Sequence, residues 1–220
     1  MSEIQDILIS KHEKVPKTDD PIALKTSWEP TNPGGANFKT QQLTVTKNRI
    51  IIEKTYGTIV LSLIFILIGI PSLIYGSRYY YSKGMVWEGV FAFVIGIIFT
   101  ICGILVLKFF KKTTFDLIAG VYYRGKKYDK FNSVDRSIQG LLSDIYAIQL
   151  IYEILRSGST KVSNTYKSYE MNLVFKDGER LNIMDHGKQE DIDAAAIKLG
   201  EFLQVPVWKA SYSNTNSNSQ

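Results

Sequence analysis

The 220-residue sequence predicts an α+β membrane protein, in which a hairpin of two membrane-spanning helices leads into an antiparallel β domain closed by one helix. Three patterns predict this fold class. Two long stretches lack any charged side chain, the second half alternates apolar and polar residues between glycine turns, and the last apolar pattern has the helical period. The first pattern is typical of helices in lipid, and the other two are typical of a domain in water.

The chain before the first apolar stretch divides into two predicted parts. Residues 1–35 hold four of the six prolines and end in a Pro-Gly-Gly run, a composition that predicts a disordered tail. In residues 36–54, Leu43 and Val45 alternate with polar residues, and a polar turn precedes a β-branched run. This second part therefore predicts a β-hairpin just before the membrane.

Two stretches, 55–77 and 89–107, contain no Asp, Glu, Lys or Arg, and each reaches the ~20 residues that a helix needs to cross a hydrocarbon core. A pair of buried soluble helices is the alternative, but the rest of the chain is too small to enclose two helices that are apolar on every side. We therefore predict two transmembrane helices, joined by an outer loop at 78–88, with a kink at Pro71 in the first helix.

The basic residues predict the orientation of this hairpin. More basic residues lie just before the first helix and just after the second than in the connecting loop, where they are Arg78 and Lys83. Because positive charge is retained on the cytoplasmic side, both termini are predicted to be cytoplasmic. The tyrosines of the loop and Trp87 suit the headgroup boundary on the other side. We expect an integral, multi-pass protein of the bacterial inner membrane.

Small residues recur every seven positions in both apolar stretches. They are Ser62, Gly69 and Gly76 in the first stretch and Gly89, Gly96 and Gly103 in the second. Lipid gives helices no hydrophobic drive to associate, so close backbone approach at small residues is a main source of packing. The two stripes are predicted to face each other. The alternative is that they face another protein, including a second copy of this chain in a homo-oligomer.

The net charge of +5 comes from one short segment. Residues 108–130 contain seven basic and two acidic residues, so the rest of the chain is balanced. A basic segment next to a membrane helix favours anionic lipid headgroups, whereas nucleic-acid binding would need basic residues spread over a folded face. The candidate headgroup ligands are Lys111, Lys112, Arg124, Lys126 and Lys127.

Residues 108–210 are predicted to form the cytoplasmic domain, and the Ser/Asn-rich residues 211–220 a disordered tail. Turns at Gly120 and Gly178 separate short alternating strands. A further strand has an apolar stripe predicted to face the core, namely Tyr146, Ile148, Leu150, Tyr152 and Ile154. One apolar helical face then follows, made of Ile192, Ala195, Ala196, Leu199, Phe202 and Leu203.

An antiparallel sheet that ends in one amphipathic helix is the layout of a pleckstrin-homology-like domain. The order of elements, with the segments Leu142-Ser-Asp-Ile-Tyr-Ala-Ile-Gln-Leu150 and Leu199-Gly-Glu-Phe-Leu-Gln-Val-Pro-Val-Trp208, resembles the photosystem I assembly factor family of plastids and cyanobacteria. The proline-rich tail departs from the pattern of that family, and Gln204 stands where the family has glycine. The resemblance implies a non-catalytic membrane scaffold that is related in build, with a client of its own.

The sequence contains few residues that indicate a catalytic site. His186 lies in an Asp-His-Gly turn, and such a turn more often ends a strand and starts a helix than performs acid-base chemistry. Cys102 lies inside the second apolar stretch, where it serves as a small packing residue. We therefore predict that the chain is not an enzyme and holds no cofactor or metal.

Two functions remain. One is a scaffold or assembly factor that binds other membrane-complex subunits at the cytoplasmic face, and the other is a module that binds anionic lipids. For the first, the predicted partner-binding positions are Tyr152, Glu153 and Trp208, taken as exposed. The two functions differ in salt response, because headgroup binding weakens as ionic strength rises.

Overall fold

The computed structural model describes residues 19–31, 39–109, 111–131, 135–159 and 162–210. These residues form two compact units. A helical unit comprises Thr40–Gln42 and Glu53–Lys112. A sheet unit comprises the described residues before Thr40, the segment Leu43–Ile52 between the two parts of the helical unit, and the described residues from Thr113 onward. The predicted tail residues 1–18, 32–35 and 211–220 lie outside the described residues.

The helical unit is a hairpin of two long helices. α2 (Tyr56–Pro71), a π-helical turn (Ser72–Gly76) and α3 (Ser77–Ser82) follow one another without a break, and α4 (Val86–Phe109) returns. The Thr55 hydroxyl caps α2, because it accepts the backbone N–H of Thr58 at 3.2 Å. Both helices of the hairpin are long and apolar enough to cross a membrane.

The connection between the helices is shorter than the predicted loop at 78–88. α3 continues through Ser82 and α4 begins at Val86, so residues 83–85 alone form the turn. Gly84 has a φ of +74° in this turn. No glycine or proline interrupts residues 77–83, so the helix continues until it meets a residue that accepts the left-handed conformation.

Pro71, where we predicted a kink, marks a change of helix type. It is the last residue of the regular α-helix, and the π-helical turn follows it directly. Proline has no backbone N–H and its ring crowds the preceding turn, so the regular hydrogen-bond ladder is interrupted there. A π-helical turn is a common form of such an interruption.

The sheet unit contains two sheets, and the first has the strand order β1-β2-β3-β4-β5. Its strands are β1 (Gln41–Val45), β2 (Arg49–Lys54), β3 (Thr113–Asp116), β4 (Val121–Arg124) and β5 (Gln139–Leu141). β2 pairs antiparallel with β3, so the predicted hairpin at 36–54 belongs to the same sheet as strands that follow the helices. The predicted domain 108–210 is therefore incomplete, because it lacks β1 and β2.

The second sheet has the order β8-β7-β6-β9. Its strands are β6 (Ile145–Ser159), β7 (Val162–Phe175), β8 (Arg180–His186) and β9 (Val207–Lys209), and β9 runs parallel to β6. The β7–β8 turn contains Gly178 with a φ of +88°, as the predicted hairpin requires. α5 (Gln189–Leu203) follows β8, and Gln204 caps it in the left-handed conformation.

The core of the sheet unit is formed by both sheets and α5. Its largest fully buried side chains include Phe115, Tyr122 and Phe175. The predicted helix face contributes Ile192, Ala195, Ala196 and Leu199, with Phe202 and Leu203 packed at the edge. Full burial of one large apolar side chain contributes ~1.5–3 kcal/mol, so this cluster is the main source of stability in the sheet unit.

Part of the predicted disordered tail is ordered. Residues 20–31, here called the strap, include the short helix α1 (Pro21–Lys25) and contact the sheet unit. Asp20 caps α1, because its Oδ1 accepts the backbone N–H groups of Ile22 at 2.9 Å and Ala23 at 3.1 Å. The prolines suggested disorder, yet proline at the first position of a helix favours its start.

Residues 147–151 of β6 are buried on both faces of the strand, which corrects the predicted core stripe. Ile148 and Leu150 belong to the core as expected. A β-bulge at Tyr146 places that residue outside the core, and its hydroxyl donates to Asp20 Oδ2 at 3.0 Å. The side chain of Ile154 lies outside the described residues.

Candidate functional site

The small residues of the hairpin lie where its helices approach each other. A Cβ added at Gly96 would lie 2.7 Å from the Leu73 Cα, and one at Gly103 would lie 2.8 Å from the carbonyl oxygen of Ser62. Both distances are shorter than van der Waals contact, and the atoms that would be met belong to the backbone. Neither position therefore accepts a larger residue unless the helices move apart.

The other small residues show the same approach to different degrees. At Gly69, an added Cβ would lie 2.6 Å from the Thr100 backbone nitrogen, and at Gly89 it would lie 3.2 Å from a carbonyl oxygen of α3. Gly76 is looser, with the Ala92 Cβ at 3.5 Å. The two stripes thus pack against each other within this chain.

The candidate headgroup ligands differ in their exposure. Four of them are exposed, namely Lys111, Lys112, Lys126 and Lys127. Arg124 is instead half-buried, and its guanidinium donates to the carbonyl oxygen of Asn182. Burial lowers the pKa of Arg124. The structure therefore removes Arg124 from this set, because its side chain is engaged inside the sheet unit.

His186 joins β8 to α5. Its side chain is 1% exposed, and its Nδ1 accepts the backbone N–H of Lys188 at 2.9 Å. Its Nε2 lies 3.5 Å from Asp191 Oδ2, and burial lowers the pKa of His186. A neutral, buried imidazole that bonds the first backbone groups of a helix matches the structural interpretation of the Asp-His-Gly turn.

The predicted partner-binding residues are not exposed, and that expectation is wrong. Glu153 is 8% exposed. Tyr152 is half-buried beside Tyr169, with the ring centroids 6.3 Å apart, and burial raises the pKa of Tyr152 to about 12. Trp208 is half-buried under the strap, where its ring centroid lies 6.2 Å from that of Trp28. The expectation failed because both faces of β6 are covered near Tyr152 and Glu153, while Trp28 of the strap covers Trp208 of β9.

The face of the second sheet that points away from the core is polar and buried. In the register, Asn172 of β7 lies between Gln149 and Asn182, and Glu170 pairs with Asp185. Gln149 and Asn172 are 0% exposed, and Glu170 is 5% exposed. We call Gln149, Glu170, Asn172, Asn182 and Asp185, together with Arg180 at the end of the row, the polar face. A row of polar residues on an alternating strand normally indicates a solvent-facing side, so the strand pattern gave no signal of its burial.

The strap covers the polar face largely with main-chain groups. Gln149 Nε2 donates to the carbonyl oxygen of Ser27 at 2.9 Å, and the Arg180 guanidinium donates to the carbonyl oxygen of Glu29 at 2.7 Å. The same guanidinium nitrogen lies 3.2 Å from Gln149 Oε1. The polar face therefore donates hydrogen bonds to two alternate carbonyl groups, those of Ser27 and Glu29, in a segment without regular secondary structure.

At the end of the strap the direction of hydrogen bonding is reversed, because the strap donates and the polar face accepts. The backbone N–H of Thr31 lies between the two carboxylate oxygens of Glu170, at 2.9 and 3.0 Å. Hydrogen bonds to an ionised carboxylate are among the stronger ones in proteins. The indole of Trp28, in a tail otherwise poor in aromatic residues, was the one sequence signal that this segment packs on something.

The electrostatics of the polar face reflect its burial. Desolvation, together with the nearby charge of Glu170, raises the pKa of Asp185 to about 6, against the hydrogen bond from Asn182 Nδ2 at 2.8 Å. Burial also lowers the pKa of Arg180. Both shifts follow from the partial burial of these two side chains, and the hydrogen bonds to Ser27, Glu29 and Thr31 make the arrangement suited to binding main-chain groups.

Comparisons with known proteins do not identify a relative. No protein-family model matches the chain, and neither a curated protein nor a solved structure is significantly similar to it. The resemblance to the photosystem I assembly factors therefore stays a prediction. Any functional conclusion must come from the residues and their geometry.

Proposed function

We propose that this chain is a non-catalytic, membrane-anchored scaffold or assembly factor that binds other membrane-complex subunits at the cytoplasmic face. The observation that carries this proposal is the shortness of the two connections between helices and strands. β2 ends at Lys54 and α2 begins at Tyr56, while α4 ends at Phe109 and β3 begins at Thr113. A three-residue connection extends by no more than about 11 Å, so a partner bound by the sheet unit would be tethered to the membrane through short connections.

The surface of the helical unit supports insertion in a membrane. Its outward side chains are large and apolar, for example Leu67 and Phe91, which are 69% and 68% exposed. Such a surface is unfavourable in water and matches a hydrocarbon environment. The basic residues just before the first helix and just after the second support cytoplasmic termini.

The architecture of the sheet unit supports a pleckstrin-homology-like recognition domain. Two sheets and α5 share one core, and α5 follows the last antiparallel strand, as in that layout. The resemblance of the segments ending at Leu150 and Trp208 to photosystem I assembly factors points to the same class of function. A fold alone does not establish a function, so the proposal depends on the experiments below.

The orientation is tested by thiol labelling of intact cells. Both variants carry Cys102→Ala, which removes the single native cysteine. Lys83→Cys, in the turn between the helices, should react with an impermeant reagent added outside, whereas Lys176→Cys, in the sheet unit, should not. The reverse pattern would overturn the orientation.

Partner capture is tested by crosslinking in cells, extraction in mild detergent and affinity purification. The scaffold proposal predicts specific membrane-complex subunits that co-purify in defined amounts. His186→Asn should leave capture and cellular function intact, since asparagine Oδ1 can accept the N–H of Lys188 in place of Nδ1. Loss of function with capture, insertion and folding preserved would replace the scaffold by a catalytic or ligand-binding role.

Lipid binding is the second candidate, because four lysines of the basic segment are exposed. A variant with glutamine at all of Lys111, Lys112, Lys126 and Lys127 separates the two functions. The scaffold proposal predicts unchanged capture of subunits. Binding of anionic vesicles that is lost in this variant, together with loss of cellular function, would favour the lipid module instead.

A further inference from the structure

We infer that the polar face is a docking surface for an extended segment of a partner protein, and that the strap is its intramolecular competitor. The strap is a segment of this chain that occupies this face. It uses the carbonyl oxygens of Ser27 and Glu29 and the N–H of Thr31, groups that any polypeptide carries. This inference rests on the proposed scaffold function and names the surface that would hold the partner.

The chemistry of the strap defines the partner. An aromatic ring is needed, because Trp28 meets Trp208, whose ring also lies 5.8 Å from that of Tyr146. An extended stretch must surround that ring, so that carbonyl groups on either side reach Gln149 and Arg180. A partner segment with tryptophan in an extended, proline-containing stretch meets both conditions.

The strap is built to be released. Its helix α1 has five residues, and a helix of that length is marginal without tertiary contacts. The core cluster of the sheet unit consists of residues from Leu43 onward, so it contains no residue of the strap, although Ala23 and Thr26 of the strap are themselves 1% and 5% exposed. Leu24 of the strap is 62% exposed, which is consistent with a segment laid over the domain. Elements of this kind open at lower free energy than the rest of a domain.

The competition between strap and partner sets the expected affinities. A tethered segment acts at an effective concentration of roughly millimolar, so an added peptide competes poorly with it. Weakening the strap should therefore raise the affinity for the same sequence added in trans. Trp28→Ala is the suitable change, because it removes the contact with Trp208 and the indole bond to the carbonyl oxygen of Ala23.

The experiment uses the full chain in mild detergent and a fluorescent synthetic peptide with the sequence of residues 19–31. Fluorescence anisotropy should show at least tenfold tighter peptide binding to Trp28→Ala than to the unaltered chain. Leu24→Ala is the matched control, since it also removes a large apolar side chain from the strap but at a position that is 62% exposed, and it should bind like the unaltered chain. A peptide carrying alanine in place of its own tryptophan should not bind.

Hydrogen exchange supplies the second readout. In Trp28→Ala, the amide of Thr31 should exchange faster while the amides of β6 and β7 stay protected. Equal peptide affinity for all variants, or loss of protection across β6 and β7, would overturn the inference, because the strap would then be an integral part of the domain. Dimers formed by Trp28→Ala without peptide would also overturn it, by assigning the face to a second copy. Peptide binding as expected without capture of subunits in cells would reject the scaffold and leave the docking surface standing.

Discussion

The two units of this chain distribute their side chains in opposite ways. The helical unit buries small residues, among them Ser62 and Gly69, and turns large apolar side chains such as Leu67 outward. The sheet unit buries Phe115 and Tyr122 at the contact of its layers. This difference is the one expected if the helical unit lies in lipid, as we propose, because lipid does not drive apolar side chains together whereas water does.

Glycine has a different role in each unit. In the hairpin it provides space, since the backbone of Leu73 lies where a side chain at Gly96 would be. In the sheet unit it provides conformation, since Gly178 has a φ of +88° and only the side chain of Lys25 nearby. One amino acid thus supports close packing along the stripes of the hairpin and a tight turn between β7 and β8, a role that Gly84 shares in the turn between the helices.

The largest expected effect would break the packing of the hairpin. Gly96→Leu forces the helices apart, and because the nearest atoms belong to the backbone we expect a loss of about 3 kcal/mol, the upper end for overpacking. Thermal unfolding in detergent measures it. Gly57→Leu is the matched control, because an added Cβ there meets only the Thr55 hydroxyl at 3.9 Å. Equal stability of the two variants would contradict intramolecular packing of the stripes.

A smaller effect is expected where glycine supplies conformation. Gly178→Val should destabilise the sheet unit by about 2 kcal/mol, because a β-branched residue is strained in the left-handed region. Chemical denaturation followed by tryptophan fluorescence measures it. Lys176→Ala, two residues earlier and exposed, should change stability little. A silent Gly178→Val would show that the turn relaxes to another form.

How far the sequence predicts this structure depends on where each element obtains its stability. The uncharged stretches, the β7–β8 hairpin and α5 follow from local patterns, and all are present. The strap was missed because its stability comes from distant residues: Ser27 and Gln149 are 122 positions apart. The buried state of Arg124 and the bulge at Tyr146 likewise depend on neighbours in space, which periodicity cannot reveal.

The polar face adds a pH dependence that the apolar core lacks. The pKa of Asp185 is raised to about 6 in the folded chain, against 3.8 for the unfolded one. The stabilisation from its bound proton is therefore complete below pH 3.8 and is lost as pH rises through about 6. Asp185→Asn should be more stable than the unaltered chain at pH 8 by ~1–2 kcal/mol, allowing for partial exposure, and the difference should shrink on acidification.

The matched control for this prediction carries the opposite shift. The hydrogen bond from Arg136 lowers the pKa of Asp177. Asp177→Asn should therefore be less stable than the unaltered chain at neutral pH, and this difference should shrink as acid protonates Asp177 in the unaltered chain. Denaturant midpoints measured from about pH 2 to pH 8 give both slopes, since the effect of Asp177 changes only as pH falls toward and below 3.8. Parallel profiles for the two variants would show that Asp185 is not shielded from water.

The smallest expected effect concerns the end of α5, where the sheet unit uses a residue other than glycine in a left-handed position. Gln204 has a φ of 57° and a ψ of 41°, and its backbone N–H bonds the last turn of the helix. A residue with a Cβ in this conformation costs ~1–2 kcal/mol, part of which glycine recovers despite its greater freedom in the unfolded chain. We therefore expect Gln204→Gly to stabilise the sheet unit by about 0.5–1 kcal/mol, measured by the denaturant midpoint. Gln204→Ala should remain within about 0.5 kcal/mol of the unaltered chain, because alanine keeps the Cβ. If alanine and glycine gave the same stability, the left-handed conformation at Gln204 would carry no cost.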